Sequence, residues 1–435
     1  MKRLDDIKLL TNVSIVLDEK HIKDLVDLID EFDNNDELGS FLEGVDESNI
    51  SPAEAFLMAK TIAERGRSFQ LSERICECIT RASIGDISDS VSLVVMSVLG
   101  ELGEKVVKLT SSEYGKFTNT ISRMKLFQGF DADVSDSEFL DIIEKCGVGI
   151  LENNGSIAPI DKNLRKYMSK FPEPSIPLLA VSMLSKKIAL GVSTVVYDVK
   201  VGEGGIVKDK ATGYKLAEYL VEATKLAGMK TACVVTTLNQ PVSASIGSML
   251  ELREVVKTLS SGSSYFGSDL VAVSREICEI ALILTGRASG RVEAGEMFDE
   301  CIMSGKALLK LKEIVEAFGG DFEVVNKDMN IVSRIASSYI ESEDDGYLVD
   351  IDSMGLYSAS HILRAGIEDE NGDENSGIVM LAREGEKVSI GQKLARISYG
   401  FENMNFTRAL KLVSDSLKVK MVNTKHEKLL IKVFV

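Results

Sequence analysis

The sequence contains no tryptophan and only six prolines and three histidines among 435 residues. Hydrophobic residues make up 45% of the chain and charged residues 27%, which is ordinary for a folded protein and excludes a disordered, collagen-like or low-complexity chain. The six cysteines are scattered, and no Cys-x-x-Cys or Cys/His cluster occurs. We therefore expect no zinc site, and we expect buried thiols in a reducing compartment.

Positive charge is also scarce. The chain has 50 lysines and arginines against 67 aspartates and glutamates, which gives a net charge of −17. Because such a surface repels nucleic-acid phosphates and anionic lipids, we predict no nucleic acid and no membrane as partners. No apolar run reaches ~18 residues and no signal peptide opens the sequence, so the expected location is cytoplasmic.

The order of the predicted elements indicates an α/β multidomain protein. One hydrophobic core rarely grows beyond ~250–300 residues, so a chain of 435 is expected to form two or three units. Helical patterns fill residues 1–66, where Ser51-Pro-Ala-Glu54 predicts a capping box, and residues 161–187. Strand–loop–helix units between and after them predict a mainly parallel sheet, and short strands with glycine turns follow from about residue 336.

Three domains follow from this organisation. We predict a helical domain from two chain segments, 1–66 and 156–190, an α/β domain from 67–155 and 191–335, and a C-terminal α+β domain over 336–435. A cleft between the helical lobe and the α/β domain is the natural place for a ligand.

Two loops that leave a strand and enter a helix carry candidates for binding phosphate. We predict the first strand over Ile75–Thr80, so that Arg81 begins the first loop, and the second strand over Lys105–Leu109. Backbone N–H groups and helix dipoles at such loops attract anions. The cations and hydroxyls that could cradle one phosphate are Arg81, Ser83, Ser92, Lys108, Thr110 and Thr120. Turn formation and helix capping are the alternative, because Asp86 and Asp89 would repel an anion.

Three further polar residues stand out. Asp198 follows the apolar part of a β-branched strand, where a carboxylate serves either a ligand or a loop cap. Ser182 and Lys186 are four residues apart on a predicted helix and therefore share one face. A solvated lysine is the alternative to a binding residue there.

Motifs spread along nearly the whole chain resemble those of the pyrimidine nucleoside phosphorylase and thymidine phosphorylase family. They are Ser175–Lys187, Val195–Gly204, Asn239–Pro241 with Gly247 and Leu250-Glu251, Pro159–Lys162, Gly129-Phe130 and Gly385–Leu394. Their order along the chain is more specific than any single motif.

The resemblance implies a fold and a reaction. The fold is a helical domain, an α/β phosphate-binding domain and a C-terminal α+β domain, in a homodimer. The reaction is reversible phosphorolysis: inorganic phosphate attacks the sugar C1 of a pyrimidine nucleoside, and the base and a sugar 1-phosphate are released. Its transition state needs a phosphate dianion positioned on one face of the sugar. It also needs hydrogen-bond donors that polarise the leaving base on the other face.

Carried over position by position, the resemblance implies three sets of residues. The phosphate set is Arg81, Ser83, Ser92, Thr110 and Thr120. The base-binding set is Met168, Ser182 and Lys186. Family members also bind a potassium ion, and the matching positions are Ser88, Ser90, Val242, Ser245 and Glu254. No other cofactor is required.

Several family residues are replaced in this sequence. The active-site histidine is Ala82, the base-binding arginine is Met168, and the second loop has lost its arginine, at Ser112, and most of its glycines. Alanine and methionine cannot donate a hydrogen bond, and losing a general acid typically costs roughly 10²–10⁴ in rate. Lys116 is the candidate for a replacement donor.

Two functions therefore stay open. One is a phosphorolytic glycosyltransferase of the pyrimidine nucleoside phosphorylase type. The other is a catalytically impaired paralogue that binds a nucleoside, a sugar phosphate or a protein partner. A lipoyl-like carrier module is a minor third alternative, since Gly385–Val388 and Gly391 suit such hairpins but no modified-lysine motif accompanies them.

Overall fold

The computed structural model describes residues 2–12, 16–31, 35–69, 71–75, 77–85, 90–110, 119–202, 205–260, 268–323, 325, 335–364, 374–400, 405–422 and 429–435. The helices are α1 (Lys2–Asn12), α2 (Glu19–Asp30), α3 (Asp36–Glu43), α4 (Pro52–Glu64), α5 (Leu71–Arg74), α6 (Ser90–Glu101), α7 (Thr120–Met124), α8 (Asp136–Cys146), α9 (Ile160–Met168), α10 (Ile176–Leu190), α11 (Lys210–Leu226), α12 (Ser248–Leu259), α13 (Asp269–Thr285), α14 (Arg291–Met303), α15 (Lys306–Ala317), α16 (Ser353–Arg364) and α17 (Phe406–Asp415). The strands are β1 (Ile79–Ile84), β2 (Val106–Thr110), β3 (Val148–Glu152), β4 (Thr194–Val201), β5 (Lys230–Thr237), β6 (Ser245–Ile246), β7 (Ile335–Glu341), β8 (Gly346–Ile351), β9 (Gly377–Met380), β10 (Lys387–Val388), β11 (Lys393–Gly400), β12 (Leu417–Lys420) and β13 (Leu430–Phe434).

Helices from two separate segments of the chain pack into one helical body. Helix α10 lies along α4, and α2 contacts both α4 and α9. The capping box predicted at the start of α4 is confirmed, because Ser51 Oγ accepts the N–H of Glu54 and the Glu54 carboxylate accepts the N–H of Ser51 at 2.8 Å. The same carboxylate accepts the N–H of Leu17 at 2.6 Å, which ties the segment before α2 to the start of α4.

A mainly parallel sheet forms the centre of the α/β part. Its strand order is β3-β2-β1-β4-β5, with every neighbour parallel, and β13 lies antiparallel at the outer edge of β5. Because side chains alternate along a strand, Val195 and Tyr197 belong to the core shared with the helical body, whereas Val196 belongs to the core on the opposite side. Both faces of the sheet are therefore buried, as parallel strands require.

The C-terminal part of the chain, together with β6, builds two small sheets. Strands β10-β8-β12 form one, and β6-β9-β11-β7 form the other, in antiparallel pairs. Helices α16 and α17 pack against each other beside a core that includes Leu348, Leu356 and Ile397. The α+β character of this part is confirmed. The exact domain limits stay a prediction, and β13 shows that the last strand of the chain joins the parallel sheet instead.

The predicted fold class is confirmed, but the predicted first strand is misplaced. The chain is helical over Leu71–Arg74, and β1 runs over Ile79–Ile84 rather than Ile75–Thr80. Each residue of β1 pairs with a residue of β4, which keeps Arg81 and Ser83 inside the strand although their side chains are polar. In the part of the chain that the structure describes, no helix is both long and apolar enough to span a bilayer.

Candidate functional site

A buried ion pair joins β1 to β4. Arg81 Nη2 donates to Asp198 Oδ2, and both side chains are buried. The other oxygen of this carboxylate, Oδ1, accepts the hydroxyl of Thr236 on β5 at 2.7 Å. Since neither charge reaches water, their pairing offsets part of the cost of burying each of them.

Ser92 is the point where two cations meet. Its Oγ accepts one hydrogen bond from Arg81 Nη1 at 2.6 Å and another from Lys108 Nζ at 2.9 Å. All three side chains are buried, and Ser92 lies in the first turn of α6. Three of the six residues predicted to bind phosphate therefore come together. Two cations around one hydroxyl form a group that favours an oxyanion.

The other predicted phosphate residues lie at neighbouring positions. Ser83 is half-buried in β1, Thr110 is the half-buried last residue of β2, and Thr120 is the buried first residue of α7. Lys116 lies outside the described residues. The roles of these four residues stay predictions.

Ser182 and Lys186 share one face of α10, as their spacing predicts. Lys186 Nζ donates to Ser182 Oγ at 3.2 Å and to Asp161 Oδ2 at 2.5 Å. Asp161 lies on α9, and its second oxygen has no hydrogen-bond partner among the described residues. Burial lowers the pKa of Lys186, although the Asp161 charge raises it. Lys186 is thus held in an ion pair rather than solvated.

Lys187 interacts electrostatically with both the cationic group around Ser92 and the Lys186 group on α10. It follows Lys186 on α10, and its side chain is 6% exposed. Burial lowers the pKa of Lys187 to about 7, and the nearby charges of Lys108 and Lys186 lower it as well. Lys187 is therefore within electrostatic range of one residue of the cationic group, Lys108, and one of the group on α10, Lys186.

Curated proteins of several bacteria are similar to this chain. A pyrimidine-nucleoside phosphorylase of Staphylococcus epidermidis is 27% identical over 352 residues, which cover 80% of this chain and 81% of that protein. The protein of the same name from Geobacillus stearothermophilus is 29% identical over 327 residues, which cover 73% of this chain and 74% of that protein. The one from Bacillus subtilis is 25% identical over 384 residues, which cover 86% of this chain and 88% of that protein. The chain is a diverged relative of the pyrimidine-nucleoside phosphorylases. No protein-family model matches it.

A solved structure has a similar fold. The anthranilate phosphoribosyltransferase of Thermus thermophilus superimposes with a TM-score of 0.57 at 14% sequence identity, over 72% of this chain and 99% of that one. At this identity the likeness concerns the fold alone.

The two positions at which the family resemblance implies a histidine and an arginine are placed close to the helical body. Ala82 lies on β1 and belongs to the core shared with the helical body, and Met168 is the last residue of α9 and packs against that core. Neither side chain can donate a hydrogen bond. Arg165 lies one turn before Met168, and its positive charge lowers the pKa of Lys186. Helix α9 therefore still carries a guanidinium within electrostatic range of Lys186.

Two of the predicted potassium positions come together. The Glu254 carboxylate accepts the N–H of Ala244 at 3.0 Å and the N–H of Ser245 at 2.7 Å. Burial raises the pKa of Glu254 despite these hydrogen bonds. A half-buried carboxylate beside a hydroxyl supplies the oxygen ligands that hard cations prefer, so these two residues fit the ion.

The remaining potassium positions are arranged differently. The Ser90 hydroxyl donates to Glu251 at 2.9 Å, and Arg123 binds the same carboxylate. Val242 is buried and has only its backbone to offer, and Ser88 lies outside the described residues.

The candidate site also includes Asp161 and Lys187, which the sequence analysis did not select as site residues. Both lie inside motifs that carry the family resemblance, Pro159–Lys162 and Ser175–Lys187. Their positions in those motifs were the available signal, but only the folded chain shows that Asp161 reaches Lys186 and that Lys187 is buried.

Proposed function

We propose that this protein is a glycosyltransferase that carries out reversible phosphorolysis of a pyrimidine nucleoside. The observation that supports this proposal is the presence of two complementary groups, each of which contains a lysine within electrostatic range of Lys187. Arg81 and Lys108 converge on Ser92 and suit an oxyanion, whereas Ser182 and Lys186 suit the carbonyl oxygens of a pyrimidine. The curated relatives carry the name of this activity.

In the proposed reaction, phosphate bound near Ser92 and Lys108 attacks C1 of the sugar. A C1–O bond forms while the C1–N1 bond breaks, and the electron pair leaves with the base. Hydrogen bonds from Lys186 and Ser182 to the base stabilise the developing negative charge, and the departing base takes a proton from water. Asp161 supports this role because its charge raises the pKa of Lys186 and so favours the donating ammonium form.

A catalytically impaired paralogue is the second candidate function. The observation that favours it is that Ala82 and Met168 present no hydrogen-bond donor at positions where the family resemblance implies two. One preorganised donor is worth roughly 2.7–4 kcal/mol in such reactions, so the loss of two can remove most turnover. This candidate keeps nucleoside or sugar-phosphate binding without catalysis.

The deciding experiment follows free base when the purified full-length protein is incubated with uridine, thymidine or deoxyuridine, with and without phosphate. Phosphate-dependent release of base together with sugar 1-phosphate is expected. If no nucleoside of this set is turned over while calorimetry detects nucleoside binding, the second candidate is correct.

A pair of serine variants on one helix makes the test specific. Ser92→Ala removes the hydroxyl that joins Arg81 and Lys108, and we expect a loss of roughly 10²-fold or more in kcat/KM for phosphate. Ser97→Ala is the matched control, because this buried hydroxyl bonds only within α6, to the Leu93 carbonyl at 2.8 Å. Equal losses in the two variants would contradict the role of Ser92.

We also propose that Ser245 and Glu254 hold a potassium ion and that the protein is a homodimer, as the family resemblance implies. Replacing potassium by choline at constant ionic strength should lower the unfolding temperature of the wild type but not that of Glu254→Gln. Light scattering should give twice the mass of the chain.

A further inference from the structure

Lys187 is a buried lysine that lacks a carboxylate partner in the described part of the chain. Its side chain is 6% exposed, and no hydrogen bond or ion pair joins its ammonium to a described residue. Two other cations nearby have carboxylate partners, Lys186 with Asp161 and Arg81 with Asp198. An unpaired buried charge is strongly destabilising, so a lysine is seldom kept in such a place without a ligand.

The charges around Lys187 are positive. One residue step along a helix turns the side chain by about 100°, so Lys187 leaves α10 in a different direction from Lys186. Two charges act on it, Lys186 from its own helix and Lys108 from β2, and both lower its pKa. On the helices packed against α10, Asp161 is bonded to Lys186, Glu54 is bonded at the start of α4, and the charged side chains of α11 are exposed. This environment repels a further cation and attracts an anion.

The neighbouring residues indicate the class of that anion. Lys108 donates to Ser92, where Arg81 also donates. Lys187 is buried and lies within electrostatic range of Lys108. Two ammonium groups at this range match a compact oxyanion with more than one negative charge, since lysine binds phosphate as a point charge.

We propose that Lys187 binds the phosphoryl oxygens of the substrate, together with Lys108. The inference rests on the proposed function, which supplies two such ligands, inorganic phosphate and a sugar 1-phosphate. It assigns to Lys187 a contact with the attacking group, in contrast to Lys186, which contacts the base. No covalent step is involved. An arriving dianion stabilises the ammonium form, so binding takes up a proton wherever Lys187 is partly neutral beforehand.

The test is calorimetric titration of the full-length protein with inorganic phosphate at pH 8. We expect Lys187→Met to weaken binding at least tenfold and Lys187→Arg to restore it to within threefold of the wild type. Lys225→Met removes an exposed lysine from α11 and should leave the affinity unchanged. Repeating the titration with ribose 1-phosphate shows whether the free or the esterified phosphate depends more on Lys187.

Proton uptake gives a second readout that a purely structural role would not change. In buffers with different heats of ionisation, the wild type should take up roughly one proton per phosphate and Lys187→Met should take up none. Phosphate binding by Lys187→Met within twofold of the wild type, or no phosphate binding by the wild type, would overturn the inference.

The inference and the proposed function can fail separately. Phosphate binding that depends on Lys187 without any turnover of nucleoside supports the inference and contradicts phosphorolysis. Turnover and phosphate affinity that both survive Lys187→Met contradict the inference and leave the proposed function intact.

Discussion

Replacing Lys187 by methionine should stabilise the ligand-free protein, and the gain should depend on pH. Methionine has a similar length, fits an apolar environment and carries no charge. Burial, with the charges of Lys108 and Lys186, lowers the pKa of Lys187 from 10.5 to about 7. Because one pKa unit corresponds to about 1.4 kcal/mol, the ammonium form costs the fold up to about 5 kcal/mol. Relaxation of the surroundings reduces this figure, so we expect a gain of about 2–5 kcal/mol.

The sign follows from the proton balance of the two states. Between pH 7 and 10.5 the unfolded chain binds more protons at this lysine than the folded one, so wild-type stability rises with pH by at most about 1.4 kcal/mol per unit. Below pH 7 both states are protonated and the wild type carries the full cost. The advantage of Lys187→Met should therefore be greatest at pH 6–7 and should shrink as the pH rises towards 10.

Urea unfolding monitored by circular dichroism between pH 6.5 and 9.5, in buffers free of phosphate, measures this difference. Lys225→Met is the control for removing a lysine, and its stability should stay parallel to that of the wild type at all pH values. A variant Lys187→Met that is less stable than the wild type at pH 7, or a stability difference that is constant over this range, would refute the reasoning. Saturating phosphate should stabilise the wild type more than Lys187→Met, because it binds only the folded state.

Three further outcomes are expected. Asp198→Asn removes the negative charge that is paired with the buried Arg81 Nη2 and should lower the free energy of unfolding by about 3–5 kcal/mol, measured in urea. Asp161→Asn removes the charge that raises the pKa of Lys186, so the alkaline limb of the kcat/KM profile for nucleoside should move to lower pH, and an unchanged profile would argue against Lys186 as the donor. Met168→Arg adds a guanidinium beside the base-binding group and should raise kcat/KM for uridine at least tenfold, while Met168→Leu should leave it unchanged.

The order of elements was predictable because the sequence repeats one local pattern. Polar loops separate apolar β-branched runs from helices, and this alternation leads to a parallel sheet whose strands are covered on both faces. The start and end of β1 were not predictable from the same pattern. Arg81 and Ser83 are polar and mark a loop by local criteria, but hydrogen bonding to β4 keeps them in the strand. Pairing with a neighbouring strand outweighs local preference there.

The candidate site could be predicted in part. Spacing along a helix was enough to place Ser182 beside Lys186. The predicted adjacency of the first two strands was enough to bring Arg81 and Lys108 to Ser92, although both lie within their strands. The acidic partner of Lys186 was not accessible in this way. Asp161 reaches Lys186 from another helix, and an ion pair between residues 25 positions apart leaves no periodic signal in the sequence.

The charge balance of the site supports the order in which we assign its cations. Four cationic side chains, Arg81, Lys108, Lys186 and Lys187, face two carboxylates, Asp161 and Asp198, among the described residues of the site. Arg81 donates one hydrogen bond to Asp198 through Nη2 and another to Ser92 through Nη1. It therefore positions the serine hydroxyl more than it neutralises a ligand. Lys187 has no carboxylate partner among the described residues, so a phosphate dianion would stabilise its ammonium form. The proton uptake on phosphate binding is therefore the most direct measure of its role.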